Sequence, residues 1–449
     1  MENNNPIFFL QKIFSNEFEK TAIIWKEKKY NYEWLNNRIK FYENLLNKEN
    51  IIIGKVVAII GDFTPETISL FLALITRKCI IVPLTKSVKN QSRLLSIAGI
   101  DFKFEIDEYE EIKYESYIPV EKNSLYIELE NREQPGLVLF SSGTSGEPKC
   151  AVHDFSKLLY KFQKKGKSLR TLNFLLFDHW GGLNTMFHIL SNGGVVISTN
   201  IRTPENICYL IELYQIQLLP ASPTFINLLL LSESYKKFNL NSLEMITYGT
   251  EPMLPSTLQK LENIFPNVKL LQTYGLIELG VLKSKSKSND SLWVKLDGDG
   301  YQLRVVDGLL EIKSDSAMLG YLNAESPFTD DGWFKTGDSV EVDGDYFKIL
   351  GRKSEIINVG GEKVYPTEIE DVITQLSNIA EVIVFGEKNP IMGNIIVAKI
   401  RLIEQEDKKI FISRLNIHCK EKLENFKVPV RVIINNDVQY GERLKKTRI

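Results

Sequence analysis

The sequence predicts an α/β protein with helix-covered parallel sheets, a small β subdomain and a compact α+β module at the end. Three observations carry this. Short apolar runs alternate with helical patterns along most of the chain. From Ser291 to Lys348 the texture shifts to short β segments split by Asp-Gly and Gly-Asp turns. After Gly351 helices and strands return in a tight block. At 449 residues the chain is too long for one core and should hold two or three domains.

Asn31 to Leu46 has the spacing of an amphipathic helix, and Lys55 to Gly61 reads as a buried strand with turn residues behind it. Pro65 to Arg77 reads as a helix and Cys79 to Leu84 as another buried strand, which is the β–α–β rhythm of parallel sheets. The rhythm resumes with a strand at Leu172 to Phe177, a helix at Leu183 to Leu190 and a strand at Val195 to Ser198. Leu218 to Ala221, Glu244 to Tyr248 and Lys269 to Gln272 repeat the short-strand signal. The turns Asp297-Gly298, Asp307-Gly308, Asp331-Gly332 and Asp343-Gly344 divide the β subdomain. The final module begins with a hairpin. Its helix at Pro366 to Leu376 is followed by strands at Ala380 to Phe385 and Ile395 to Ile403, then a helix at Ile410 to Leu423.

Composition excludes several classes. A net charge of −2 argues against a dedicated nucleic-acid or anionic-membrane binder. Lys157 to Arg170 holds six basic residues and reads as a solvated helix face. The four cysteines, Cys79, Cys150, Cys208 and Cys419, have neither zinc-ligand nor disulfide spacing, which fits a reducing compartment. Met1 to Asn5 lacks the basic region of a signal peptide. The longest mainly apolar run, Ile68 to Ile75, falls short of the roughly 20 residues that span a bilayer. A cytoplasmic protein is expected.

Leu137 to Phe140 is a buried-strand signal running into Ser141-Ser142-Gly143-Thr144-Ser145-Gly146-Glu147-Pro148-Lys149. The glycines free backbone N–H groups to face a phosphate, the hydroxyls of Ser141, Ser142, Thr144 and Ser145 add donors, and Lys149 brings counter-charge. The Walker pattern is absent, because Lys149 lies between Pro148 and Cys150. This strand, Ser/Thr/Gly loop and Pro-Lys ending resemble the adenylate-forming superfamily of acyl- and aryl-CoA synthetases, peptide-synthetase adenylation domains and luciferases. Further motifs follow in that family's order over most of the chain.

The resemblance implies a large N-terminal domain, residues 1–351, of two helix-covered sheets with a β subdomain near 291–348. A small mobile C-terminal lid, residues 352–449, would follow. Tyr274-Gly275-Leu276-Ile277-Glu278 resembles Tyr-Gly-x-Thr-Glu, so Glu278 would ligate the magnesium on the ATP phosphates and Tyr274 would lie against adenine. Ile277 stands where the family has a threonine. Gly249, Thr250 and Glu251 occupy the place of an adenine-contacting turn. Gly332 to Asp338 resembles Gly-Trp-Phe-x-Thr-Gly-Asp, with Asp338 accepting from the ribose hydroxyls. Arg352 would contact the nucleotide near the hinge, and Gly360 to Glu370 would line a thiol tunnel. Phe177 to Gly182 would begin the acyl pocket, with His179 as the gate for the carboxylate. Asp178 is a residue that could instead recognise an amino group.

The family ends in Gly-Lys-x-x-Arg. Aligning this tail on Gly441 puts Glu442 at the lysine, where it would repel both anions, whereas Lys445 and Arg448 keep the charge pattern. The implied catalytic set is therefore Lys445, Thr144, Glu278 and His179. The expected activity is ATP- and Mg2+-dependent conversion of a carboxylic acid to its acyl-adenylate, with pyrophosphate released. Transfer to the pantetheine thiol of coenzyme A or of a carrier protein would follow. The alternative is a catalytically impaired relative that binds nucleotide or acyl groups as a sensor or scaffold. ATP binding without pyrophosphate turnover separates the two.

Overall fold

The structure, a computed structural model, describes residues 5–118, 120–141, 148–390, 392–438, 440–441 and 446. Two seven-stranded sheets form the large domain. The first runs in the order Lys269–Gln272, Met245–Tyr248, Leu218–Ala221, Thr171–Leu172, Val196–Ser198, Thr21–Trp25 and Lys28–Asn31. It is parallel except at its last, hairpin edge. The second is ordered Gly320–Tyr321, Lys149–Asp154, Gly136–Ser141, Ile80–Leu84, Val56–Ile60, Phe102–Ile106 and Ile112–Ser116. Its central pairs are parallel and its flanking pairs antiparallel. Central strands such as Val56–Ile60 are buried at every position, as a sheet covered on both faces requires.

The largest core lies between the two sheets. It joins Ile23 and Trp25 of one sheet to Val57 and Ile59 of the other through helices Tyr32–Lys48, Pro65–Thr76 and Trp180–Leu190. Pro65–Thr76 is apolar nearly all round and buried from Pro65 to Ile75, because it has sheet on both sides. Thr64 caps it by accepting from Thr67 N at 3.1 Å, and Pro65 fits the first turn. The one carboxylate carried inside, Glu66, is satisfied by Arg38 Nε at 2.6 Å and Tyr42 OH at 2.5 Å. Separate cores lie on the outer face of each sheet.

The expected strand at Leu172 to Phe177 is shorter than its apolar character suggests. Only Thr171–Leu172 pairs in the sheet. Residues beyond it curl beneath the helix Trp180–Leu190, where Phe174 and Phe177 are buried in packing. Gly182 allows that curl, since a Cβ there would lie 2.4 Å from Leu176 O.

A six-stranded antiparallel sheet follows, built from Lys283–Ser286, Trp293–Asp297, Tyr301–Val306, Leu309–Ser314, Phe334–Asp343 and Tyr346–Arg352. The last unit packs the helices Pro366–Thr374 and Lys408–Lys422 on the three-stranded sheet Ile379–Asn389, Gly393–Leu402 and Arg431–Ile434. The short hairpin Ile357–Val359 with Glu362–Val364 precedes it. The four cysteines are buried and unpaired, and no described helix is long and apolar enough to cross a membrane. The basic stretch is spread over several elements rather than one helix face. Lys164 pairs with Asp299, Lys167 meets Glu244 at 2.9 Å, and Arg170 Nε donates to Gln215 O at 2.7 Å.

Candidate active site

The site begins with two strands. Gly136–Ser141 and Lys149–Asp154 pair antiparallel, with Ser141 opposite Lys149, so the loop between them leaves and returns on one rung. Ser142, Gly143, Thr144, Ser145 and Gly146 lie outside the described residues. Asn323 clamps that base: its Oδ1 accepts from Cys150 N and its Nδ2 donates to Pro148 O, both at 2.9 Å.

Lys149 sets its ammonium 5.3 Å from the centre of the Tyr321 ring. Tyr321 OH in turn donates to Glu278 Oε1 at 2.7 Å. Burial and the facing carboxylate raise the Tyr321 hydroxyl well above its usual pKa, so it stays a donor. Glu278 is half-buried at the end of Tyr274–Glu278, and its carbonyl accepts from Met318 N at 2.8 Å. No group of three or more His, Cys, Asp or Glu side chains able to hold a metal occurs among the described residues. Magnesium takes one or two carboxylates and completes its shell with phosphate oxygens and water. Glu278 fits such a role as a single hard-oxygen donor.

The second cluster sits beside the first. Tyr274 OH donates to Asp338 Oδ2 at 2.6 Å, and Arg352 Nε lies 3.4 Å from Asp338 Oδ1. Strand pairing explains the juxtaposition, because Asp338 is directly opposite Arg352 in the antiparallel pair Phe334–Asp343 and Tyr346–Arg352. Thr336 holds the turn by donating to Leu310 O at 2.7 Å and accepting from Asp338 N at 3.0 Å. Burial raises the Asp338 carboxyl above its usual range, against the opposing pull of Arg352 and Tyr274. Each carboxylate oxygen has two lone pairs, so Asp338 keeps acceptor capacity for a ligand's hydroxyls. Arg352 also acts electrostatically on Tyr321, which joins the two clusters.

Gly249, Thr250 and Glu251 follow the strand Met245–Tyr248 at the carboxyl end of the parallel sheet, where open α/β sheets bind ligands. A Cβ on Gly249 would lie 2.4 Å from Thr273 Oγ1, so only glycine lets the turn close on the neighbouring strand end. Thr250 takes a positive φ of 74°. Glu251 Oε2 accepts from Thr224 Oγ1 at 2.9 Å and from Lys446 N at 3.3 Å.

His179 is the N-cap of Trp180–Leu190, its Nδ1 accepting from Gly181 N at 3.1 Å. That bond makes Nδ1 the acceptor and leaves the proton of the neutral ring on Nε2. Ile277 packs its side chain into both the inter-sheet core and the β-subdomain core, an apolar use of the position. In the tail, Lys445, Glu442 and Arg448 lie outside the described residues. The described Lys446 pairs its Nζ with Glu370 Oε2 at 2.8 Å and so touches both domains. A cleft between the domains, lined by Thr224, Glu251, Met253, Glu381 and Tyr440, ends at this lysine.

Tyr321, Asn323 and Thr336 carry no sequence signal that marks them as site residues on their own. Thr336 sits inside a recognised heptapeptide, but Tyr321 and Asn323 meet their partners only through the pairing of Gly320–Tyr321 with Lys149–Asp154.

The model of the AMP-binding enzyme family matches residues 10–321, and that of the AMP-binding enzyme C-terminal domain matches residues 368–448. An indoleacetate–CoA ligase of Aromatoleum aromaticum is 24% identical, over 93% of this chain and 92% of its own length. A 3-[(3aS,4S,7aS)-7a-methyl-1,5-dioxo-octahydro-1H-inden-4-yl]propanoyl:CoA ligase of Rhodococcus jostii is 27% identical over 65% of this chain. There the match spans 60% of the relative, less than two thirds of its length. The crystal structure of the anthranilate CoA ligase AuaEII with anthranoyl-AMP superposes with a TM-score of 0.82 at 17% identity, covering 98% of this chain and 95% of that one.

Proposed function

The chain belongs to the AMP-binding enzyme family, and from that premise we propose that it is an AMP-forming acid–CoA ligase dependent on ATP and magnesium. The observation that carries this reading is the meeting of Tyr274, Asp338 and Arg352 with Lys149, Tyr321 and Glu278 at one end of the large domain. An acid's carboxylate oxygen attacks the α-phosphorus of ATP, the bond to the bridging oxygen breaks, and pyrophosphate leaves with its electron pair. The thiol of coenzyme A, losing its proton, then attacks the acyl carbon, and AMP departs as the second leaving group. A carrier-protein pantetheine presents the same thiol.

Asp338 would hold the ribose hydroxyls while Arg352 supplies positive charge beside it. Lys149 and the loop it closes would meet the phosphates, and the Gly249 turn would flank the adenine. Magnesium on Glu278 would neutralise phosphate charge as pyrophosphate leaves. The chain's own contribution is alignment and fixed charge, set before the reaction and needing no reorganisation during it. His179 is proposed as the gate to the acid, and Lys445 as the tail lysine that bridges carboxylate and α-phosphate.

Carboxylate-dependent ATP–pyrophosphate exchange over amino, aryl, fatty and hydroxy acids tests this, followed by thioester formation with coenzyme A. Exchange with one class of acid supports the ligase. ATP binding with no exchange across the panel would favour the catalytically impaired relative, for which Ile277 is the structural support.

A further inference from the structure

Glu278 is held from two directions. Its carbonyl accepts from Met318 N at 2.8 Å, which fixes the backbone, and its Oε1 accepts from Tyr321 OH at 2.7 Å. The other carboxylate oxygen, Oε2, has no partner among the described residues and is not sealed from solvent. Lys149 lies over the Tyr321 ring and makes no ion pair with this carboxylate. Glu278 therefore presents one committed oxygen and one open one.

The phenol that commits Oε1 is itself fixed. Tyr321 lies opposite Ala151 and Gly320 opposite Val152, in an antiparallel pair at the edge of the second sheet. Leu319 N donates to Val152 O at 2.8 Å and Leu322 N to Cys150 O at 2.9 Å, so the backbone is bonded on both sides of Tyr321. The ring packs against the β-subdomain core that holds Met318 and Phe334. A side chain anchored in this way has few rotamers open to it. Its hydroxyl position is set by the sheet before any ligand arrives, as a group that supports a binding residue should be.

The consequence concerns which cation the carboxylate accepts. Magnesium demands a near-ideal octahedron, and a single carboxylate oxygen beside phosphate oxygens and water suits it. Calcium takes more oxygens at longer range and often grips both oxygens of one carboxylate. At Glu278 a two-oxygen grip would have to share or break the Tyr321 bond. We propose that Tyr321 is a positioning residue that restricts Glu278 to one-oxygen ligation and so selects magnesium over calcium. This rests on Glu278 carrying the metal, as argued above. The hydroxyl spares the site the rotamer freedom of a loose glutamate, and it withholds the second oxygen that calcium would use.

The test reads nucleotide binding rather than turnover. Calorimetry measures the affinity of the full chain for an ATP analogue that cannot be cleaved at the α-phosphorus, in magnesium, in calcium and in chelator. The proteins are the wild type, Tyr321→Phe, Glu278→Gln and the double variant. Tyr301→Phe is the control, since it removes another half-buried hydroxyl, one that donates to Leu279 O at 3.1 Å. The wild type should prefer magnesium, and Tyr321→Phe should shrink the magnesium-to-calcium ratio about tenfold, the worth of one hydrogen bond to a charged group. Affinity in chelator should not move, and Tyr301→Phe should keep the wild-type ratio. In the Glu278→Gln background Tyr321→Phe should have no further effect on the ratio. Equal losses in both cations, or a loss already present in chelator, overturn the proposal and leave Tyr321 a packing residue. A wild type without the preference, or a Glu278→Gln variant that keeps it, overturns it as well. ATP–pyrophosphate exchange on the same preparations separates the two readings. Exchange with an unmoved ratio sinks only the role of Tyr321, and the expected ratio shift without exchange upholds that role while the ligase reading fails.

Discussion

Asp338 separates what a residue costs the fold from what it does for a ligand. Its carboxyl is buried, its pKa is raised by that burial, and Arg352 beside it is half in solvent. An acid whose folded pKa is raised binds more protons in the native state, so its ionisation lowers stability as pH rises past the unfolded value. At neutral pH Asp338→Asn should therefore melt no earlier than the wild type. If Asp338 holds the ribose, the same variant should raise the KM for ATP tenfold or more. Melting curves and exchange kinetics on one preparation check both, and an early melt with unchanged KM would mark a purely structural carboxylate. His153 makes the opposite case. It is fully buried, and burial outweighs the polar contact of the Ile277 backbone, depressing the imidazole to about 4. A base with a lowered folded pKa gives stability above the unfolded value near 6.5 and loses it as pH falls toward 4. Relative to His153→Leu, the wild type should lose on the order of 3 kcal/mol between pH 7 and pH 4. Carboxylates common to both proteins cancel in that difference. Parallel urea titrations at the two pH values measure it.

Among the elements, legibility in the sequence follows the range of the contacts involved. Pro65–Thr76 is readable because its apolar character and its cap are local, and Lys269–Gln272 because a buried parallel strand is one apolar run. Leu172 to Phe177 misleads because buried loop and buried strand share that composition, and only the space left by Gly182 decides between them. The same logic holds at the site. Glu278, Asp338 and Arg352 are legible as parts of motifs, while Tyr321 and Asn323 act across sheet pairings with no local signature. Asn323 gives that difference a test. It is exposed, so Asn323→Ala should change stability by no more than about 1 kcal/mol. Losing both bonds at the base of the loop should nevertheless raise the KM for ATP several-fold, if the loop receives the phosphates. An unchanged KM would mean that the strand pair alone holds the loop ends.

At the scale of the whole molecule, the two domains meet through a few polar contacts rather than a shared core. Asn227 Nδ2 donates to Ala380 O at 3.0 Å, and Ser256 N donates to Asp371 Oδ1 at 2.8 Å. Lys446 adds a further link by joining the buried Glu370 of the small domain to Glu251 of the turn after Met245–Tyr248. Interfaces of this kind are weak enough for relative domain motion. In the orientation seen, Lys446 lies against Glu251, a residue proposed to flank the nucleotide, and we propose that this contact serves the step in which ATP reacts. Lys446→Ala removes the ion pair and leaves the Glu370 carboxylate without that counter-charge. ATP–pyrophosphate exchange should then fall at least tenfold further than thioester formation from a supplied acyl-adenylate, since only the first reaction needs the tail at the turn. Equal losses in the two assays would instead assign Lys446 to the stability of the small domain. A lowered melting temperature with no split between the half-reactions would point the same way, to a lysine that holds the small domain together.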